Sequence, residues 1–81
     1  MSLKESFVGK ITVTIRPEQE FITLQAVLQV ADIISTGGMA KMYLSENIVL
    51  VNDIEENRRG RKLYPGDIVK VEDKTILVKK P

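Results

Sequence analysis

The 81-residue sequence contains no cysteine, no histidine and no tryptophan. Without thiols there is no disulfide, no thiolate nucleophile and no zinc site of the usual kind. Without imidazole the commonest acid–base group is missing. No apolar run approaches the roughly 18 residues of a membrane span, and there is no signal-peptide hydrophobic segment. Neither membrane insertion nor export is therefore expected, and a reducing cytoplasm fits the lack of cysteine. Aromatic residues make up 5% of the chain, and the twelve Lys and Arg are nearly balanced by eleven Asp and Glu, for a net charge of +1. An electrostatic function must then come from the distribution of charge rather than its total. Glu18, Glu20, Glu46, Asp53, Glu55 and Glu56 are spread along the chain. Their spacing suggests no carboxylate dyad and no metal site, so neither an enzyme nor a bound cofactor is expected. Met1–Leu3 carry no weight in this reading.

The length suits one domain with a small core, and the 43% hydrophobic and 28% charged shares are those of a globular chain. "KITVTIR" (10–16) alternates, with Ile11, Val13 and Ile15 on one face, which predicts a half-buried strand that Pro17 ends. Residues 17–20 predict a polar loop. In "FITLQAVLQVADII", Thr23 is a good N-cap, and Leu24, Val27, Leu28 and Ala31 fall at i, i+3, i+4 and i+7. That spacing predicts a helix over 24–32. "STGGMAKMYLSEN" predicts a second short helix, capped by Ser35 or Thr36, with Ala40, Tyr43 and Leu44 facing the first helix and Asn47 as a left-handed stop. "IVLVND", "DIVKVE" and "TILVKK" predict three strands, with turns at Asn52-Asp53 and Asp73-Lys74. The order is α+β: an N-terminal strand, two short packed helices, then a small antiparallel β-sheet, all in one domain over 1–81.

Charge is crowded at one place. In "NRRGRKLYPGD" (57–67), Arg58, Arg59, Arg61 and Lys62 occupy four of five positions. One reading is a solvated loop that offsets Glu55 and Glu56. The other is phosphate contact, since guanidinium forks match phosphate oxygens. Gly60 is either a turn residue with positive φ or a point where the backbone comes close to a phosphate. "TGGMAK" supplies Thr36, Gly37, Gly38 and Lys41 as a second candidate phosphate contact, without the spacing of a nucleotide-hydrolase loop. Tyr43 reads as core by its spacing. Tyr64, beside the cluster, could stack on a base or pack under the loop. Lys70, Lys74, Lys79 and Lys80 read first as edge-strand protection.

"ITLQAVLQVADIISTGGMAKMYLSENIVLVND" followed by "YPGDIVKV" resembles the RNA-binding domain named after ribosomal small-subunit protein S-four. Leu24 and Leu28 match that family's first helix, Ala40 and Leu44 its second, Val49, Val51 and Asn52 its hairpin, and Gly66, Asp67, Val69 and Val71 its closing strand. The resemblance covers about residues 22–71. "TGGMAK" and "NRRGRKLYPGD" are similar to segments of a small stand-alone bacterial subfamily, the YaaA-like proteins. The resemblance implies an alpha-L RNA-binding fold and a non-catalytic, ribosome-associated module for structured RNA such as rRNA. With the residue chemistry above, the candidate RNA contacts are Thr36, Gly37, Gly38, Lys41, Arg58, Arg59, Gly60, Arg61, Lys62 and Tyr64. One departure stands out: the family's arginine at the start of the second helix is replaced here by Gly37, and Arg58–Lys62 could take its place. The alternative is an adaptor that docks an acidic patch on a ribosomal or DNA-processing protein; DNA binding is a weaker option.

Overall fold

The computed structural model describes residues 9–81, so Met1–Leu3 lie outside the described residues. The elements in chain order are β1 (Lys10–Thr14), β2 (Ile22–Thr23), α1 (Leu24–Val30), a 3-10 helix (Gly37–Met39), α2 (Ala40–Glu46), β3 (Val49–Val51), β4 (Ile54–Glu55), β5 (Lys62–Leu63), β6 (Ile68–Val71) and β7 (Lys74–Lys79). The fold is α+β. Five strands form one sheet in the order β1-β7-β6-β3-β4, and β2 pairs with β5 in a second, two-stranded ribbon.

Pleat alternation builds the main sheet. Val13 and Ile15 from the β1 segment, Val49 and Val51 from β3, Val69 and Val71 from β6, and Ile76 and Val78 from β7 are all buried. They pack in one cluster with Leu24, Val27 and Leu28 of α1 and Ala40 and Leu44 of α2. Each fully buried Val or Leu contributes about 1.5–3 kcal/mol relative to exposure. The sheet is not wholly antiparallel. β1 runs parallel to β7, with Lys10 opposite Thr75 and Thr14 opposite Lys79, while the β3–β4, β3–β6 and β6–β7 pairs are antiparallel. β7 is thus an interior strand, as is β6, which overturns the edge-protection reading of Lys70, Lys74 and Lys79. Lys70 instead pairs with Asp53 at 3.0 Å, and Lys74 lies 3.4 Å from Asp73.

The turns explain most of the boundary differences. Thr23 Oγ1 accepts from the Ala26 N–H at 3.2 Å and starts α1 as expected. The helix stops at Val30, two residues early, because Asp32 has φ of 65°. The Asp32 N–H bonds to the Gln29 carbonyl and the Ile33 N–H to the Leu28 carbonyl, the Schellman arrangement with Asp where Gly is usual. The second helix opens as a 3-10 turn rather than a capped α-helix: the Thr36 carbonyl, not its hydroxyl, accepts from Met39. Asn47 is extended (φ −132°), not left-handed. Its side-chain amide and its backbone N–H both donate to the Tyr43 carbonyl, so the helix end is satisfied without a left-handed residue. Asn52 and Asp53 both have positive φ, 51° and 70°, as a two-residue type I′ hairpin requires. The β6–β7 turn falls at Glu72-Asp73, one residue before the expected pair, since Val71 opposes Lys74.

Candidate functional site

The basic loop runs from the end of β4 to β5, and its backbone is fixed before any side chain is considered. The first N–H groups of a helix have no intrahelical acceptor. Here the Leu24 N–H donates to the Arg61 carbonyl at 2.8 Å and the Gln25 N–H to the Arg59 carbonyl at 2.9 Å. With Thr23 taking the Ala26 N–H, the opening turn of α1 is satisfied by the loop and the cap. The Arg61 N–H closes a turn onto the Arg58 carbonyl at 3.1 Å, and Thr23 opposes Lys62 in the β2–β5 ribbon. The loop is therefore clamped along α1 at both its tip and its exit.

Glu56 organises the side chains. It is the one charged residue buried among those described, 7% exposed. Its Oε2 accepts from the Arg58 backbone N–H at 3.0 Å and from Arg58 Nε at 2.9 Å. Its Oε1 accepts from Arg58 Nη2 at 3.1 Å and from Arg61 Nη1 at 2.7 Å. These contacts, with those of Arg58 foremost, hold the carboxyl down at about 2 against the opposing pull of burial. The same contacts raise the pKa of Arg58 further above its ordinary range. The bland reading is thus half realised: Glu56, but not Glu55, offsets two of the four cations. A guanidinium carries five N–H donors. Arg58, 71% exposed, keeps donors for an outside acceptor, and Arg61 is half-buried. Arg59 and Lys62 are exposed and form no ion pair among the described residues.

The exit of the loop is aromatic. Lys62 Nζ lies 4.9 Å from the centre of the Phe21 ring, a cation–π contact. Phe21 in turn meets Tyr64 with ring centres 6.0 Å apart and a 55° tilt. Tyr64 heads a turn with Pro65 second and Gly66 third at φ 98°, which is type II chemistry. Asp67 stabilises that turn by accepting the Tyr64 N–H at 2.7 Å. Tyr43, by contrast, is half-buried, and its hydroxyl donates to Glu72. Burial first, and then that bond, push its phenol pKa up.

The "TGGMAK" segment joins the site through Gln25. A Cβ built on Gly37 would lie 2.4 Å from Gln25 Nε2. Gln25 thus has its side chain against Gly37 and its backbone on Arg59, so the 3-10 helix and the basic loop flank the same turn of α1. In this chain the amide of Gln25 fills the space beside position 37. Thr36, Gly38 and Lys41 are exposed, and no hydrogen bond or ion pair among those described ties Lys41 to the loop. Gln25 and Phe21 were not picked out from sequence, and Glu56 was read only as a charge that the loop offsets. The signals were a carboxylate two residues before Arg58 and five before Arg61, and an aromatic just ahead of a capped helix.

Gly60 does not adopt the left-handed backbone allowed for in the turn reading, and a Cβ on it would meet nothing within 4 Å. Gly60→Ala should therefore leave the fold intact or stabilise it by about 0.4–1 kcal/mol through the unfolded chain. A melting-temperature rise or no change, together with weaker nucleic-acid binding, would mark this glycine as a point of close ligand approach. A loss of stability would contradict the geometry.

Among the described residues no buried side-chain N or O atom lacks a hydrogen-bond partner, and no three Asp or Glu side chains gather as a metal site would need. No helix among the described residues is long and apolar enough to cross a membrane. Compared with known proteins, residues 14–79 match the family described as the S4 domain. The chain is similar to the "Probable ribosome maturation protein RlbA" of Bacillus subtilis (strain 168). The identity is 60% over 55 residues, covering 68% of this chain and 78% of that protein.

Proposed function

The chain belongs to the S4-domain family, and from that premise we propose that it is a non-catalytic module that binds structured, ribosomal RNA in the cytoplasm. Residues 14–79 make up the binding unit, and Arg58, Arg59, Arg61 and Lys62 contact phosphates. The observation that carries this reading is the Glu56 clamp: one buried carboxylate holds two guanidiniums in place without neutralising the loop. Four cations against one anion leave the loop strongly positive. Its backbone is held along α1, so little order has to be gained on binding. Gly37, Gly38, Thr36 and Lys41 extend the contact on the far side of Gln25. Readout is mainly of shape, because side chains read little sequence in the deep groove of an A-form stem.

Counting Lys41 with the four loop cations and subtracting Glu56 gives a net four charges for phosphates. Log affinity for an RNA hairpin should then fall against log salt with a slope of about −3 to −4. A flat salt titration would sink the reading, and equal affinity for duplex DNA would remove the preference for RNA. A second reading is favoured by one observation: Met39 and Met42, on either side of Lys41, are 48% and 65% exposed. Such a surface suits a protein partner, with an acidic patch on the arginine loop. A partner pulled down equally well after nuclease treatment would support this adaptor role.

A further inference from the structure

The aromatic end of the loop opens into a recess that phosphate contacts leave unused. The turn Arg16–Gln19, closed by the Gln19 N–H on the Arg16 carbonyl at 3.0 Å, faces the Tyr64-Pro65 turn. Between them lies an open cleft of about 660 Å³, lined by Pro17, Glu18, Gln19 and Glu20 on one side and by Tyr64 and Pro65 on the other, with Lys80 also in the wall. That volume is in the range of small-ligand sites. Tyr64 is 47% exposed although Phe21 packs against it.

We propose that this cleft receives an unpaired guanine base of the RNA whose phosphates the 58–62 loop holds; the proposal rests on the RNA-binding reading above. Position is the first argument. Tyr64 follows Lys62 by two residues, about 7 Å of extended chain, so a nucleotide whose phosphate meets Lys62 has its base near the tyrosine ring. Aromatic side chains stack on bases splayed out of a structured RNA. Rigidity is the second argument. The type II turn, the Asp67 bond to the Tyr64 N–H and the Phe21 contact all fix Tyr64 in place.

The charge of the lining selects the base. Glu18 and Glu20 repel phosphate, so the cleft admits the base rather than the backbone. An ionised carboxylate only accepts hydrogen bonds. The Watson–Crick edge of guanine carries two adjacent donors, N1–H and the N2 amino group, beside the O6 acceptor that an ammonium such as Lys80 can meet. Adenine and cytosine present one amino group next to a bare ring nitrogen, which a carboxylate opposes. Uracil presents one N–H between two carbonyls. A guanine in a stem has this edge occupied by its partner, so the site reads unpaired guanine only.

The test uses RNA hairpins with one common stem, either fully paired or carrying a single bulged G, A, C or U. The chain has no tryptophan and two tyrosines, so Tyr43→Phe leaves Tyr64 as the reporter of stacking. The bulged-G hairpin should quench Tyr64 emission. It should bind unmodified protein about 5- to 150-fold more tightly than the paired stem, the range expected for one stacked base. Tyr64→Ala should erase that gain, bringing affinity for the bulged-G hairpin down to that for the paired stem. The double variant Glu18→Gln, Glu20→Gln should keep the stacking and lose the preference for G. Equal affinity for the paired and bulged-G hairpins, equal affinity for all four bulges, or a bulged-G advantage that survives Tyr64→Ala would each overturn the proposal and leave loop binding standing. Failure to bind any hairpin, the paired stem included, would overturn both.

Discussion

Glu56→Gln should weaken binding of an RNA hairpin about tenfold, even though it makes the protein more positive by one charge. If affinity followed net charge alone, this variant would bind more tightly. It should not, because the carboxylate takes three bonds from Arg58 and one from Arg61 and thereby sets where both guanidiniums point. A carboxamide offers one acceptor oxygen and turns two donors toward cations that have nothing to accept. The same change acts on the fold. Glu56→Ala should lower stability by about 2–3 kcal/mol, seen as a drop in the urea midpoint with little change in slope.

Acid gives an independent check. The folded-state pKa of Glu56, about 2, lies below its ordinary 4.5. A depressed carboxyl stabilises the fold above its unfolded pKa, and that stability is lost as pH falls from there through the folded value. The share traceable to Glu56 is about 1–2 kcal/mol, because water around the exposed Arg58 screens part of the interaction. Glu56→Gln should flatten the acid limb of the stability profile between roughly pH 4.5 and 2. Tighter RNA binding by this variant, or an acid limb as steep as the wild type's, would show that Glu56 does not position the arginines.

Arg59→Ala combined with Lys62→Ala should do the reverse: leave the fold standing and remove most of the binding. Both residues are exposed and carry no ion pair among the described residues, and Arg59 holds the Gln25 N–H through its backbone carbonyl, which alanine retains. The structural loss is the cation–π contact of Lys62 with Phe21, about 0.5–1 kcal/mol at an exposed position. A charge-assisted phosphate contact contributes about 1.5 kcal/mol or more, so two of them correspond to a fall of about 100-fold at low salt. The salt slope should become shallower by roughly 1.5–2. Unchanged affinity would place the binding surface elsewhere. A large fall in urea midpoint would mean that these side chains support the fold instead. Arg58 is a poorer test residue, since replacing it also strips Glu56 of two of its four donors, the backbone N–H being retained.

Much of this architecture was legible where local chemistry decides it. The alternation of Ile11, Val13 and Ile15, and the segments "DIVKVE" and "TILVKK", gave strands. Thr23 gave a helix start, and Asn52-Asp53 gave a hairpin. What escaped was set by competing bonds at the helix ends and by partners distant in sequence. Asp32 ends α1 early because the Ile33 N–H reaches back to Leu28, and no propensity marks that. Asn47 was expected to turn the chain back, but two bonds to the Tyr43 carbonyl close the helix and let it pass directly into β3. The lysines of β6 and β7 looked like edge residues until pairing placed both strands inside the sheet. In the site, the crowding at Arg58–Lys62 was plain from sequence, but the burial of Glu56 beneath it was not, because burial depends on where the rest of the chain lies.

The parallel pairing of β1 with β7 joins Lys10 to Thr75, among the most widely separated contacts the chain can make. Because β7 also separates β1 from β6, the sheet stays open until that strand arrives. On a translating ribosome the arginine loop would emerge well before the layer beneath α1 was complete. The polypeptide should become a competent ligand for RNA in a single late step, with closing so long a loop the slowest part of its self-assembly.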